Sequence, residues 1–144
     1  MESNEMGRVL VSVLVENLGD IWDVTKGRIP SDQARRIEIP EALVDTGSTT
    51  LALPTSMIRQ LGLQKSYEKT AITSVGKRSI AVYDAVRLTV MDRFCTVDVM
   101  EVPDDVPALI GQIPLEMLDL VVDARNRKLT GNPAHNGEHV LELL

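Results

Sequence analysis

The sequence has few of the residues that form disulfide frameworks, metal centres or aromatic binding surfaces. Among its 144 residues are one cysteine, two histidines and one tryptophan. The single cysteine, Cys95, excludes an intrachain disulfide framework and is typical of a reducing compartment. Apolar stretches are short as well: the longest, 9–15, is interrupted by Ser12 and cannot span a bilayer. These absences exclude disulfide-stabilised scaffolds and helical membrane proteins.

Charge and overall composition further restrict the class of protein and the partners it can bind. The formal net charge of −6 argues against a nucleic-acid or anionic membrane partner. The hydrophobic content of 44% and the charged content of 25% are those of an ordinary soluble protein, and the length fits one domain. The opening segment MESNEMG is polar and has no signal-peptide pattern. We therefore expect a cytoplasmic domain with neither a nucleic-acid nor a membrane partner.

Short β patterns dominate the chain. Runs rich in β-branched or alternating apolar residues predict strands at 8–17, 21–27, 34–45, 70–75, 79–90, 94–102 and 121–123. Turns are expected at 17–20 (NLGD), 75–78 (VGKR), 91–93 and around Asn126. One helix is predicted from Pro54 to Gly62, and a second over 113–120. Because no βαβ rhythm is present, these elements favour a mostly-β fold, a small closed β-barrel with two short helices.

The most informative stretch is EALVDTGSTTLALP at 41–54. Here a carboxylate, that of Asp45, directly follows the apolar strand residues 42–44. Asp-Thr-Gly is favourable turn chemistry, so a plain turn is one interpretation of the motif. A second element lies far downstream, where the apolar run PALIG ends at Gly111 and passes directly into the helix IPLEML. Together the two elements indicate more than a turn.

The chain resembles the retroviral-type (retropepsin-like) aspartic proteases, and more closely their stand-alone bacterial relatives. The resemblance rests on ALVDTGST at 42–49, QLGL at 60–63 and ALIGQIPLEMLDLVVD at 108–123, in the order and spacing of the family. It implies a single domain over 1–144, with one lobe per chain in a barrel of the retropepsin type. The core of this domain is expected at about 8–132, and the tail 133–144 is a candidate for the dimer interface.

The resemblance also implies roles for the residues of the Asp-Thr-Gly loop. Asp45 matches the catalytic aspartate, and Thr46 matches the threonine that ties the two active-site loops together across a dimer. Gly47 matches the glycine that lets the backbone approach the carboxylate and the substrate. Ser48 stands where alanine is common, as in the two-lobed pepsin-type enzymes. The loop is thus expected to supply the catalytic acid and its support.

Further roles follow for two more segments. Ile110 and Gly111, followed by Gln112, match the apolar-glycine motif that packs behind the active-site loop. The hairpin at 75–78, with Val75, Gly76 and Lys77, is where the family has the flap that closes over a bound peptide.

The sequence departs from the retroviral pattern at two positions. Thr49 and Gln112 stand where retroviral enzymes usually have an aspartate and an arginine. The loss of both charges together favours a neutral contact in their place, since one remaining charge would be costly.

Because the sequence contains one Asp-Thr-Gly and no acid at 108–111, one chain supplies half of a site. The resemblance therefore implies a homodimer in which an Asp45 from each chain acts on a peptide or protein substrate, without a cofactor or metal. Two carboxylates held close cannot both ionise, which gives the acid and the base that peptide hydrolysis needs. The alternative is a peptide-binding or dimerisation module that keeps the fold but cleaves little or nothing.

Other candidate sites are weaker. His135 and His139 have the spacing of a helical metal site, but Pro133, Asn136 and Gly137 disfavour a helix there, and no third ligand joins them. Cys95 lies in an apolar strand pattern and is expected to be a core thiol rather than a nucleophile.

Overall fold

The computed structural model describes residues 8–143. The segment 1–7, where we expected no signal peptide, and Leu144 at the end of the predicted domain lie outside the described residues. The described strands are Val9–Asn17 (β1), Arg36–Val44 (β2), Leu51–Pro54 (β3), Lys65–Thr73 (β4), Gly76–Val90 (β5), Arg93–Val102 (β6), Leu109–Ile110 (β7), Leu120–Asp123 (β8) and Lys128–Gly131 (β9). The α-helices are Leu18–Thr25 (α1), Thr55–Leu61 (α2) and Gln112–Leu118 (α3), with 3₁₀ turns at Ser31–Gln33 and Pro133–His135.

Six strands close into a ring, which confirms the predicted mostly-β fold. The order is β1-β2-β7-β3-β6-β5, and β5 pairs back with β1. The strand β4 pairs with β5 and lies outside the ring, while β8 and β9 form a separate ladder. Fully buried aliphatic side chains fill the ring, among them Val15, Leu51, Leu88, Val99 and Ile110. Removing this apolar surface from water is the main stabilising term of the fold.

The helix α1 corrects one prediction. We expected a turn at 17–20 and a strand at 21–27, but Leu18–Thr25 is helical. Asn17 caps this helix, because its Oδ1 accepts the Asp20 N–H at 3.0 Å, and its Nδ2 donates to the Leu61 carbonyl at 2.7 Å. Asp20 in turn accepts two side-chain hydrogen bonds from Arg35 at 2.8 and 3.0 Å. These long-range contacts override the β-propensity of the segment.

Several element boundaries also differ from those predicted. The strand β4 begins at Lys65 rather than at 70, and the strand β9 follows the expected turn around Asn126, where no strand was predicted. Pro54 ends β3 and precedes α2 instead of opening the helix, whereas Gly62 does end it, with a left-handed φ of 65°. None of the helices within residues 8–143 is long and apolar enough to cross a membrane.

Candidate active site

The Asp-Thr-Gly loop crosses over the end of a buried strand. The short strand β7 lies between β2 and β3: Val44 pairs in parallel with Ile110, and Leu51 pairs antiparallel with the same residue. Because β2 and β3 flank β7, the loop 45–50 that joins them must pass over the point where β7 ends. We call this arrangement of loop 45–50, Ile110–Gly111 and the first turn of α3 the crossing.

Backbone hydrogen bonds hold the two parts of the crossing together. The Asp45 N–H donates to the Ile110 carbonyl at 2.9 Å, and the Gly111 N–H donates to the Thr50 carbonyl at 3.0 Å. The loop is therefore fixed at its first residue to Ile110 and at its last residue to the adjacent Gly111. Its geometry depends on the backbone and tolerates side-chain variation better than a loop held by side chains.

The first turn of α3 fixes the middle of the loop. The Gln112 N–H donates to the Ser48 carbonyl and the Ile113 N–H to the Thr49 carbonyl, both at 2.9 Å. The first N–H groups of a helix have no partner within the helix, so these bonds satisfy donors that would otherwise be unpaired. A helix start that usually needs a side-chain cap is here capped by the candidate active-site loop.

Gly111 is required at the crossing for steric reasons. A Cβ atom there would lie 2.6 Å from the carbonyl oxygens of both Ser48 and Thr50 and 2.7 Å from the Thr49 carbonyl carbon. These neighbours are backbone atoms of the loop and cannot move aside without breaking the hydrogen bonds described above. The close approach therefore explains why the apolar run of β7 ends in glycine.

The Asp45 carboxylate lies at the open side of the crossing. The residue is half-buried, and its Oδ1 accepts the Gly47 N–H at 3.0 Å. A Cβ on Gly47 would come within 3.3 Å of that oxygen, so glycine leaves room around the acid. Thr46 is exposed beside it, and its hydroxyl has no hydrogen bond within residues 8–143. The acid is thus oriented by the backbone and accessible from solvent.

The two positions that depart from the retroviral pattern are both exposed. Thr49 and Gln112 lie on the two facing segments of the crossing. Their side chains form no hydrogen bond with each other in the described part of the chain; the contact between the segments runs through the backbone. Two neutral exposed residues here leave no buried charge unpaired.

The hairpin of β4 and β5 stands apart from the ring. It pairs Lys65–Thr73 with residues 76–83, and its two-residue turn is Ser74–Val75. The predicted turn at 75–78 is therefore placed too late, since Gly76 and Lys77 already belong to β5. Gly76 has a φ of 108°, which favours glycine. Val75 at the tip and Ile72 beside it are 71% and 85% exposed.

A cleft of about 580 Å³ separates the hairpin from the crossing. Thr49 and Thr50 of the loop form one border, and Tyr67 and Ile72 of β4 form the opposite one. The floor comes from β6, and Ile113 of α3 contributes to the wall. Asp45 itself does not line the cleft; the loop reaches it four and five residues further along. The cleft is open, with the hydrogen-bonded loop on one side and the exposed hairpin on the other.

The surroundings of His135 and Cys95, the weaker metal and thiol candidates, indicate structural roles. Both ring nitrogens of His135 contact carboxylates, Nδ1 with Asp119 at 2.7 Å and Nε2 with Glu142 at 3.1 Å. Burial raises the pKa of the Cys95 thiol to about 11, so it is protonated at neutral pH and a poor nucleophile. Within residues 8–143 no group of three or more potential metal-ligating His, Cys, Asp or Glu side chains occurs.

The tail after β9 folds back onto the end of α3. Burial raises the pKa of Asp119, but hydrogen bonds from the Val140 N–H, His135 and Asn132 outweigh burial and hold this pKa at about 2. The contact with Asp119, followed by that with Glu142, raises the pKa of His135. The tail is thus anchored by charge to the helix that begins at the crossing.

Sequence reasoning did not identify the floor of the cleft. On β6 the residues Thr96, Asp98 and Met100 line the cleft together with Val97, and of these Val97 is buried, as is Val99. This alternation is visible in FCTVDVM and could have placed Asp98 on a polar face. The pattern alone does not say which surface that face meets.

Comparison with models of known protein families identifies the family of the chain. A family model described as aspartyl protease matches residues 33–113, more than half of the chain. The matched stretch contains both segments of the crossing, the hairpin and the floor of the cleft. A search of curated proteins finds no match.

Proposed function

Since the chain belongs to the aspartyl protease family, we propose that it is an aspartic endopeptidase that hydrolyses peptide bonds as a homodimer. The observation that carries this proposal is the Asp45 carboxylate, half-buried and oriented by the Gly47 N–H at the crossing. A peptide or protein in extended form is the substrate, and the cleft beside the crossing is where it binds.

The dimer follows from a count of carboxylates. Loop 45–50 and the facing segment 108–113 contain one acid between them, Asp45. The reaction needs two, so the second comes from the same residue of a second chain across a two-fold axis. The exposed Thr46 hydroxyl beside Asp45 is available for a bond to the partner loop.

The two carboxylates share one proton and one water molecule. As is established for aspartic proteases as a class, like charges this close cannot both ionise, so one carboxyl stays protonated. The ionised Asp45 takes a proton from the water, which attacks the peptide carbonyl carbon. The protonated Asp45 of the other chain gives its proton to the carbonyl oxygen. Collapse of the tetrahedral intermediate then breaks the C–N bond: the carboxyl that took the water proton gives it to the leaving amine, and the other carboxylate takes back a proton from a hydroxyl of the intermediate.

The surroundings of Asp45 serve this chemistry. The apolar strand β2 on one side lowers the local dielectric, which strengthens the coupling between the carboxyls. The Gly47 N–H stabilises one oxygen of the ionised form. The exposed hairpin, with Val75 in its turn and Gly76 and Lys77 at the start of β5, closes over the peptide and excludes water. A cytoplasmic location is part of the proposal, on the basis of the single unpaired Cys95.

The test is cleavage of a diverse peptide library between pH 4 and pH 7, read by mass spectrometry. We expect wild-type protein to produce cuts that disappear in Asp45→Asn, which keeps the shape and removes the titrating acid. Asp32→Asn, at an exposed position outside the cleft, makes the same chemical change and should retain all cuts. Identical products from wild type and Asp45→Asn would overturn the aspartic mechanism. No cuts from either protein would favour the peptide-binding or dimerisation module.

A further inference from the structure

The floor of the cleft carries a negative charge at a fixed position. Asp98 lies in β6 between two paired residues: Val97 pairs with Val86 of β5, and Val99 pairs with Tyr83 of β5 and Leu51 of β3, with a register shift of β5 opposite Asp98. Its neighbours along the strand, Val97 and Val99, are buried, so its own side chain must point away from the core. Asp98 is exposed and lines the cleft.

The backbone at Asp98 is tied to the candidate active-site loop. The Thr50 hydroxyl donates to the Asp98 carbonyl at 3.5 Å, and the adjacent Leu51 pairs with Val99. The distance from the loop to the carboxylate is therefore set by the sheet, not by a mobile segment. A substrate held at the loop would meet the acid at a defined position along its length.

The carboxylate of Asp98 has no ion-pair partner among residues 8–143. Lys69 of the hairpin also lines the cleft, but no salt bridge joins the two side chains. Apolar side chains line the same cleft, including Met100, Ile113 and Met117, together with threonines. The cleft thus offers one rigidly placed acid in aliphatic surroundings.

We propose that Asp98 is a specificity-determining residue that selects peptides with a lysine or arginine next to aliphatic side chains. This inference rests on the proposed function. A basic side chain would pair with the free carboxylate, and its aliphatic neighbours would cover the apolar walls. Asp98 is favoured over Lys69 as the selecting charge because β6 is paired on both edges, whereas β4 is paired with β5 alone. A preplaced charge loses less conformational entropy on binding than one on an exposed hairpin.

The experiment uses a set of blocked octapeptides with two central leucines. One flanking position at a time is fixed as Lys, Gln or Glu, and the remaining positions are equimolar mixtures. Cleavage by the wild type is measured, and binding of the same peptides to Asp45→Asn is measured by competition. At one position we expect Lys to be preferred over Gln by about fivefold, a preference that weakens with added salt. Asp98→Asn should abolish this preference, and Asp98→Lys should reverse it toward Glu.

Two controls separate selection by Asp98 from other effects. Asp32→Asn removes the same charge outside the cleft and should keep the preference for Lys. Lys69→Gln removes the other charge of the cleft and should also keep it. If Lys69→Gln abolishes the preference while Asp98→Asn retains it, the assignment to Asp98 is wrong.

The outcomes for this inference and for the proposed function are distinct. Cleavage that requires Asp45 but treats Lys, Gln and Glu alike would overturn the inference and leave the protease. Binding that prefers Lys and depends on Asp98, with no cleavage by the wild type, would support the recognition and overturn the proposed function. Absence of both cleavage and selective binding would overturn the inference as well.

Discussion

The crossing and the hairpin face each other across one cleft, yet they are built in opposite ways. At the crossing, Leu51 and Ile110 are fully buried and the backbone of Gly111 touches the loop above it. In the hairpin, nearly every residue of β4 is exposed, and one ladder holds the strand to the rest of the protein. The proposed catalytic half is therefore part of the core, whereas the proposed covering half is held by a single ladder.

This difference predicts a division between stability and catalysis. A change at the crossing should lower the free energy of unfolding, because the core and the site share the same backbone contacts. Shortening an exposed side chain of the hairpin should leave that free energy nearly constant and act on peptide cleavage alone.

The largest effect is expected for Gly111→Ala. The added Cβ would press on the carbonyls of Ser48 and Thr50, and we expect the free energy of unfolding to fall by about 3 kcal/mol or more. Urea denaturation followed by circular dichroism measures this. Gly76→Ala in the hairpin is the matched control: nothing lies near its Cβ, and it should cost about 1–2 kcal/mol from backbone strain alone. Equal losses for the two variants would contradict the tight packing of the crossing.

A smaller effect on the free energy of unfolding is expected from His135, which anchors the tail at the C-terminal end of α3. His135 gains its contacts with Asp119 and Glu142 on folding, so its pKa rises above 6.5. Its contribution to stability is therefore complete below pH 6.5 and is lost as the pH rises through the folded-state pKa. Unfolding free energies at pH 5.5 and pH 8.5 should differ by less in His135→Gln than in the wild type.

His139→Gln is the control for that experiment. Its ring contacts the Met117 carbonyl and no carboxylate, so the variant should keep the pH dependence of the wild type. A wild-type pH dependence that survives in His135→Gln would mean that another group governs it. The Asp119 pKa of about 2 has the opposite consequence: its contribution is present above pH 3.8 and is lost as the pH falls through 2.

The smallest effect on stability is expected in the hairpin. Ile72→Ala should change the free energy of unfolding by no more than about 0.5 kcal/mol, because the side chain is 85% exposed. Peptide cleavage should nevertheless fall several-fold, since Ile72 lines the cleft. Leu10→Ala shortens an exposed side chain of β1 outside the cleft and should leave cleavage unchanged. A large loss of stability in Ile72→Ala would show that the hairpin is not independent of the core.

Much of the ring could be predicted from local patterns. The strand before Asp45, the long β5 and the helix after Gly111 follow alternation and apolar runs that local side-chain sterics and burial dictate. The exception is α1. The segment favours a strand by propensity, because it contains Ile21, Trp22 and Val24. The helix is nevertheless stabilised by the Asn17 cap and by the ion pair between Asp20 and Arg35. An Asn three residues before an acid is a capping signal that was present in NLGD.

The candidate site was predictable where it depends on special backbone chemistry. Asp45 and Gly111 stand out because an acid and a glycine interrupt apolar patterns, and Gly47 is identified by the family resemblance. Asp98 did not stand out, since an outward charge on a strand is ordinary and its meaning depends on what faces it. The anchoring of the tail at Asp119 was hidden for the same reason: it joins residues that are far apart in the sequence.

The central claim is that two copies of Asp45 form one site, and mixed dimers test it most directly. Differently tagged wild-type and Asp45→Asn chains are co-expressed in varied ratios, and the chain ratio in the purified dimers is measured by mass spectrometry. If both carboxylates are needed, activity falls with the square of the wild-type fraction, to about one quarter in an equal mixture. A linear fall, to about one half, would mean that each chain acts alone and would contradict the shared site.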